Sequence, residues 1–373
     1  MTVSAKGLEG VVASQTSLSF IDGEVGILAY RGYDIHDLAP NASFVEAVFL
    51  LWYDRLPTRS ELTAFEAELA PLRALDPTTI TALRTLPHET SPMAALRTAS
   101  SIDGTTDPDA EDNSAAANLR KSKRLVARFP TIIAAFHRLR HGHEPIDPDP
   151  GMSLCGDFLR MANGTSGTDQ AVAALDRTLL LYLDHGFNAS TFTCRVIAAT
   201  MGDMHSAITG GVGALSGPLH GGANAKAMET LLEIGEVENV LPWLEEALEA
   251  KRKIMGFGHR VYKTEDPRAT HLRQMSRELT EQAGMSKWYE ISRLLESELK
   301  VRKGLNPNVD FYCATVYYAL GVPVDLYTPL FAMGRVAGWV AHVMEQHADN
   351  RLIRPRAEYV GHKDREWVEI GDR

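Results

Sequence analysis

Cysteine is scarce in this chain. Its 373 residues hold three, Cys155, Cys194 and Cys313, far apart and with no Cys-x-x-Cys pair. That odd, scattered set argues against a disulfide framework or a zinc ribbon and suits a reducing compartment. Long apolar runs are missing too. The longest, around Leu179 to Leu183, stops at Asp184, far short of the ~20 residues that cross a bilayer. Met1 to Gly7 contain no apolar signal core, so a soluble, untargeted, cytoplasmic protein is expected. Positive charge is short: 38 Lys and Arg face 48 Asp and Glu, for a net charge of −10. This disfavours nucleic acid as a general partner, and an anionic ligand would need a local basic pocket that opposes the overall field. Internal repeats and low-complexity segments are absent.

What is present is a chain with 45% hydrophobic residues. Its length suggests two domains, or one large domain with a smaller partner. Strand patterning is confined to Ser17–Tyr30, which alternates around Asp22-Gly23, a hairpin signal. Beyond it the apolar spacing is helical. Helices are expected at Ser43–Leu51, from Pro57 to about Leu75, and at Thr78–Leu86, Pro92–Ser101, Ala115–Leu139 and Ser153–Ala162. The pattern continues over Asp169–His185, with Gly186 as the terminating residue, then Ser190–Thr200 and His205–Ala214. The later helices are Ala223–Ile234, Leu241–Lys251, Arg268–Ala283, Trp288–Lys300, Asp310–Leu320 and Pro329–Gln346. Asp103–Asn113 reads as an acidic surface loop, and His141–Gly151 as a Pro/Asp-rich connector. The fold class is all-α with one small N-terminal β-hairpin.

Three segments carry unusual chemistry: Gly217-Pro-Leu-His-Gly-Gly-Ala-Asn224, Lys253 to Lys263 with Asp266-Pro-Arg268, and Asn306-Pro-Asn-Val-Asp310. Each sets one proton-handling side chain, His220, His259 or Asp310, beside glycine, proline or asparagine. Packing does not need a histidine between glycines; a ligand approaching the backbone does. Each also has a plainer reading. His220 could be a solvated loop residue, His259 part of a basic turn, and Asp310 a carboxylate that complements a helix dipole. Gly256-Phe-Gly258 is weak as a dinucleotide motif, because no strand precedes it and the third glycine is missing. His185 near a helix C-terminus could be a cation–dipole pair. His205, His271, His342 and His347 read as structural or solvated. Arg335, inside an apolar helix, must pair with an anion or reach water. With Arg268 and Arg354 it could form an anion pocket.

Together these motifs resemble the citrate synthase family, from Ile21-Asp-Gly23 and Tyr30-Arg-Gly-Tyr-Asp34 through Asp184-His-Gly-Phe-Asn-Ala-Ser-Thr191 to Arg354-Pro-Arg-Ala-Glu-Tyr-Val-Gly361. The resemblance is to the short, dimeric branch. It implies a two-domain helical homodimer, with a large domain over 1–216 and 321–373 and a small one over 217–320. It implies condensation of acetyl-CoA with oxaloacetate and water to citrate and CoA, with no cofactor and no metal. His220, His259 and Asp310 fall at catalytic positions. His185, Arg268, Arg335 and Arg354 fall at positions that hold the dicarboxylate, Arg354 reaching the partner subunit's site. Lys253, Ile254, Met255, Gly256, Phe257 and Lys263 match the CoA-contacting segment.

Three positions depart from the family pattern: Ser91 where histidine is common, Ala225 where glutamate is common, and Asp184 where glutamate often precedes the substrate histidine. Three alternatives stay open. One is 2-methylcitrate synthesis from propionyl-CoA. The second is a metal-dependent hydrolase using His185, His220, His259 and Asp310 as ligands. The third is an inactive CoA- or dicarboxylate-binding regulator.

Overall fold

The computed structural model describes residues 6–373. Among these, sixteen α-helices and one three-stranded antiparallel sheet make up the regular structure. The strands are β1 (Ser19–Asp22), β2 (Ile27–Tyr30) and β3 (Tyr33–Asp34), in the order β1-β2-β3. The expected hairpin is there, with β3 as an addition. Its turn is not a two-residue Asp-Gly turn. The tip is Gly23–Gly26, and the left-handed residue is Gly26, at φ 79°.

The helices of the first half are α1 (Ile35–Asn41), α2 (Phe44–Tyr53), α3 (Arg59–Leu69), α4 (Pro77–Thr85), α5 (Pro92–Thr105), α6 (Ala115–Arg140), α7 (Leu154–Asn163) and α8 (Asp169–Tyr182). Those of the second half are α9 (Ala189–Ala198), α10 (Met204–Leu215), α11 (Ala223–Ile234), α12 (Val240–Glu249), α13 (Pro267–Gln282), α14 (Lys287–Lys303), α15 (Val309–Ala319) and α16 (Tyr327–Ala348). Most starts are set by side-chain caps. Ser43 caps α2, Thr58 and Glu61 form a capping box on α3, and Asn188, Asp266 and Asn308 cap α9, α13 and α15. Such caps satisfy backbone N–H groups that the helix itself leaves unpaired. Ser91 serves α5 in this way, accepting the Ala94 N–H. Helix α1 escaped the sequence reading because it is short and contains Pro40.

Helix α16 is the centre of the packing. It touches α6, α8, α9 and α10 and is buried along most of its length. Helices α11 to α15 pack mainly on one another, α15 lying against both α11 and α13. Two glycines four residues apart bring α16 unusually close to the end of α8. A methyl group on Gly338 would lie 2.2 Å from the Leu183 carbonyl oxygen, and one on Gly334 would lie 2.9 Å from that of Leu179. Close approach of this kind requires glycine.

Two expectations are corrected. The helix expected to reach His185 stops at Tyr182, because Asp184 turns the chain: its carboxylate accepts the Ser19 hydroxyl at 2.5 Å and the Gly186 N–H at 3.2 Å. The Asp103–Asn113 stretch is not simply a surface loop. Asp103 and Asp107 are buried and paired with Arg128 and Arg124, while Asp109 pairs with Arg120 and Arg124. These arginines recur every four residues along α6, so one helix face meets Asp103, Asp107 and Asp109, while Glu111 and Asp112 stay exposed. His205 is structural, bonded to Asp107 at 2.9 Å.

Gly338→Ala should lower the unfolding free energy by roughly 1–3 kcal/mol, the usual cost of overpacking. Calorimetry would show this as a lower Tm. An unchanged Tm would mean that α16 can move off α8 freely.

Candidate active site

The end of α8 and the middle of α16 set one wall. Arg335 is buried, and its Nε donates to the Tyr182 carbonyl at 2.6 Å. Its guanidinium lies 4.7 Å above the Phe331 ring. Among the described residues it forms no ion pair. Burial lowers its pKa to about 10, against the pull of Asp184. A buried guanidinium without a carboxylate partner is an anion seat.

Asp184 and His185 follow on the same wall. Asp184 accepts from His342 Nε2 at 3.1 Å. Burial works to raise its pKa, but the imidazole of His342 and the charge of Arg335 hold it low. His185 bonds the Tyr262 hydroxyl at 3.0 Å, and its ring centroid is 5.2 Å from that of His259. Burial drives His185 well below its ordinary pKa, helped by Arg268 and His259, so the ring is neutral.

The loop bearing His259 is zipped to the segment that leads into α15 and Asp310. The Gly258 N–H donates to Asn306 O and the Asn308 N–H to Gly256 O, both at 2.9 Å. Asn308 caps α15 through the Asp310 N–H at 3.0 Å and also reaches Gly258 O. Gly256 has φ 86°, and a methyl group there would lie 2.9 Å from Phe311 Cβ. Only glycine meets both demands. Asp266 joins the pieces. It receives Arg268 in a two-pronged pair at 2.9 and 2.8 Å, the Arg268 N–H at 3.1 Å, and the Val309 N–H of α15 at 3.2 Å.

Both remaining histidines are set by peptide groups. His259 Nδ1 accepts the Val261 and Tyr262 N–H groups at 2.9 and 3.1 Å. His220 Nε2 accepts the Ser190 N–H at 3.2 Å and lies 2.8 Å from the Ser190 hydroxyl. A peptide N–H can only donate, so each ring must present a lone pair there and carry its proton on the other nitrogen. Burial, with Arg268 for His259 and Arg335 for His220, lowers both to about 4. Asp310 moves the other way. Burial raises it to about 6, although Arg268 and Arg335 pull down. Among the described residues its carboxylate accepts no hydrogen bond. The charges of Arg268 and Arg335 thus bear on His185 and Asp310 together, and the His185 and His259 rings stand 5.2 Å apart. The arrangement offers two neutral N–H donors, one isolated base and an anion seat. A cavity of about 150 Å³ opens beside it, lined by Gly258, His259, Tyr262, Lys263, Asp266 and Asn306 among others.

The other sequence candidates are spread out. Arg268 is closely held by Asp266, so less of its guanidinium is free than expected. Lys253 is exposed, Met255 half-buried, and Ile254, Gly256 and Phe257 are buried. Lys263 is exposed and paired with Glu24. Arg354 lies exposed in the irregular tail, bonded to none of the other candidates. Ala225 is half-buried in the first turn of α11. Among the described residues, no group of three or more His, Cys, Asp or Glu side chains could hold a metal ion.

Sequence reasoning gave no role to Ser190, Asp266, Tyr262 or Asn308, whereas His342, read as structural or solvated, is structural, bonded to Asp184. Asp266 was detectable as an aspartate before Pro267, an N-terminal helix signature. Ser190 was not, because it acts partly through its peptide group.

A family model described as the C-terminal domain of citrate synthase matches residues 7–356. Citrate synthase 2 of Bacillus subtilis is 49% identical over 371 residues, covering 99% of each chain. The 2-methylcitrate synthase 1 of Corynebacterium glutamicum is 43% identical, covering 99% of this chain and 98% of its own. Among solved structures, citrate synthase from Thermoplasma acidophilum, in a ternary complex with carboxymethyl coenzyme A and oxaloacetate, matches with TM-score 0.93 at 36% identity, covering 99% of each chain. Sequence and fold agree along nearly the full length, and this chain belongs to the citrate synthase family.

Proposed function

We propose that this chain is a citrate synthase, a transferase that condenses acetyl-CoA with oxaloacetate and water to give citrate and CoA. The observation that carries the reading is the pairing of two imidazoles kept neutral by peptide N–H groups with a carboxylate whose pKa is raised. A thioester methyl is a weak acid. Asp310 removes its proton while His220 Nδ1–H donates to the thioester oxygen and stabilises the enolate. The enolate carbon attacks the oxaloacetate ketone. His259 Nε2–H donates to the ketone oxygen and transfers its proton as that oxygen becomes an alkoxide. Water then cleaves the citryl-CoA thioester, releasing CoA. Arg335, the free edge of Arg268, and His185 hold the two carboxylates, Arg335 with donors left by its single backbone contact.

No cofactor enters this scheme, since CoA is part of the substrate. Lys253 to Phe257 and Lys263 would contact the CoA moiety, with Gly256 baring backbone. The exposed tail supports Arg354 reaching the site of a partner subunit in a homodimer. The mutual packing of α11 to α15 supports 217–320 as a small domain closing on 1–216 and 321–373, which would exclude water from the first step. Among the described residues no helix is long and apolar enough to cross a membrane. A cytoplasmic place in the tricarboxylic acid cycle is part of this reading.

A second reading, 2-methylcitrate synthesis from propionyl-CoA, is favoured by relatives of that name at 43% identity. One methylene in a pocket discriminates by only ~1–3 kcal/mol. Measuring CoA release from each thioester, with and without oxaloacetate, tests both readings. Oxaloacetate-dependent release with the higher kcat/KM for acetyl-CoA is expected. A preference for propionyl-CoA would select the second reading, and no oxaloacetate-dependent release would reject both.

Asp310→Asn should lower kcat by about 10²–10⁴, the span for a lost general base, and leave oxaloacetate binding nearly intact. Near-wild-type turnover would remove Asp310 from its role. The same base sets a pH limb. It works ionised, and burial raises its pKa to about 6, so kcat/KM should be full above that value and fall as pH drops through it. A profile flat down to about pH 5 would contradict a titrating carboxylate of this kind.

A further inference from the structure

The tip of the β1–β2 hairpin touches the loop that carries His259, and it does so backbone to backbone. The φ of Gly23 is not left-handed, so conformation does not demand glycine there. Space does. A methyl group on Gly23 would lie 2.1 Å from the Val261 carbonyl oxygen and 2.8 Å from its carbon. The Lys263 N–H donates to Gly23 O at 2.8 Å. Gly26 at the same tip would place a methyl group 2.7 Å from Thr264 Oγ1, and Glu24 pairs with Lys263. The tip brings almost no apolar surface: Glu24 and Val25 are exposed. Burial therefore gives little reason for the contact.

The seated segment is the one that holds His259, since Val261 and Tyr262 donate to its Nδ1. The other end of the hairpin grips the turn that presents His185. Ser19 donates to the Asp184 carboxylate, and the Tyr30 hydroxyl donates to Asp184 O at 3.2 Å. One short hairpin thus spans the supports of both histidines.

We infer that the hairpin tip, through Gly23, is a positioning element for His259: it braces Val261 to Lys263 so that two peptide N–H groups stay aimed at Nδ1 and the proton stays on Nε2. This rests on the reading of His259 as donor to the ketone oxygen. The ionisable groups facing the ring are Arg268 in the first turn of α13, Asp266 that caps it, His185, and Tyr262 of its own loop. None of them needs to move for the brace to fail.

The test is Gly23→Ala, with Val25→Ala as control. In the first variant kcat should fall about 10- to 100-fold, as for a displaced catalytic group. With ¹⁵N-labelled histidine, the His259 ring, held as the Nε2–H tautomer by two N–H donors to Nδ1, should shift toward a mixture of tautomers. Val25→Ala should change neither readout. A kcat within about twofold of wild type with His259 still in one tautomer overturns the brace, since even ~1 kcal/mol would exceed that factor. Should Gly23→Ala not fold, hydrogen exchange on the wild-type protein decides. Protection of the Lys263 amide supports the docking, and exchange at the rate of an open loop overturns it. Wild-type turnover and the His259 tautomer are separate readouts, so a failed activity assay rejects the function without touching the brace.

Discussion

Asp266 is the carboxylate on which the site depends. It is fully buried, and it accepts four hydrogen bonds, from the Arg268 side chain twice, the Arg268 peptide and the Val309 peptide. Two helix starts and one cation converge on it. Burial works to raise its pKa, and Arg268 outweighs that to keep it ionised. Removing one member of such a pair typically costs ~3–5 kcal/mol, because the other is left charged and unpaired. The consequence here is geometric as well. The loop before α13 carries His259 and the first turn of α15 carries Asp310, so the same carboxylate sets how far apart the two stand.

Around that anchor the charges are divided unevenly. Arg268 is answered by Asp266, whereas among the described residues Arg335 has no acidic partner. The histidines add no charge, because burial and fixed N–H donors keep them neutral. The site is therefore prepared for an anion without being flooded with positive potential. This reconciles a ligand with two carboxylates with a protein of net charge −10. In the proposed scheme it also lets two weak donors serve beside a base. An imidazolium next to Asp310 would pull its pKa back down and weaken it, while a neutral ring does not.

Much of this was legible in the chain. The helices announced themselves by apolar spacing and by Ser, Thr, Asn and Asp at their starts. The three glycine- and proline-flanked segments pointed to His220, His259 and Asp310, and Arg335 stood out as a charge in an apolar helix. The failures have physical causes. The α8 ending depends on Ser19, far away in sequence, capturing Asp184. The acidic stretch looked solvated because its arginines lie on another helix. Gly23 looked like a turn residue, and its real reason, the Val261 carbonyl, sits across the fold. Local pattern reads propensity well; it cannot see a partner brought from elsewhere.

The donors that hold the two imidazoles come from the main chain at residues 190, 261 and 262. Their identity is thus nearly independent of the side chains at those positions. Most replacements there would keep the amide in place and the ring's protonation form unaltered. Proline alone would delete the hydrogen. At residue 261, selection on that amide would register as the exclusion of a single residue type, a pattern easily mistaken for a preference about backbone shape, whereas at residues 190 and 262 it adds to the side-chain bonds that Ser190 makes to His220 and Tyr262 to His185.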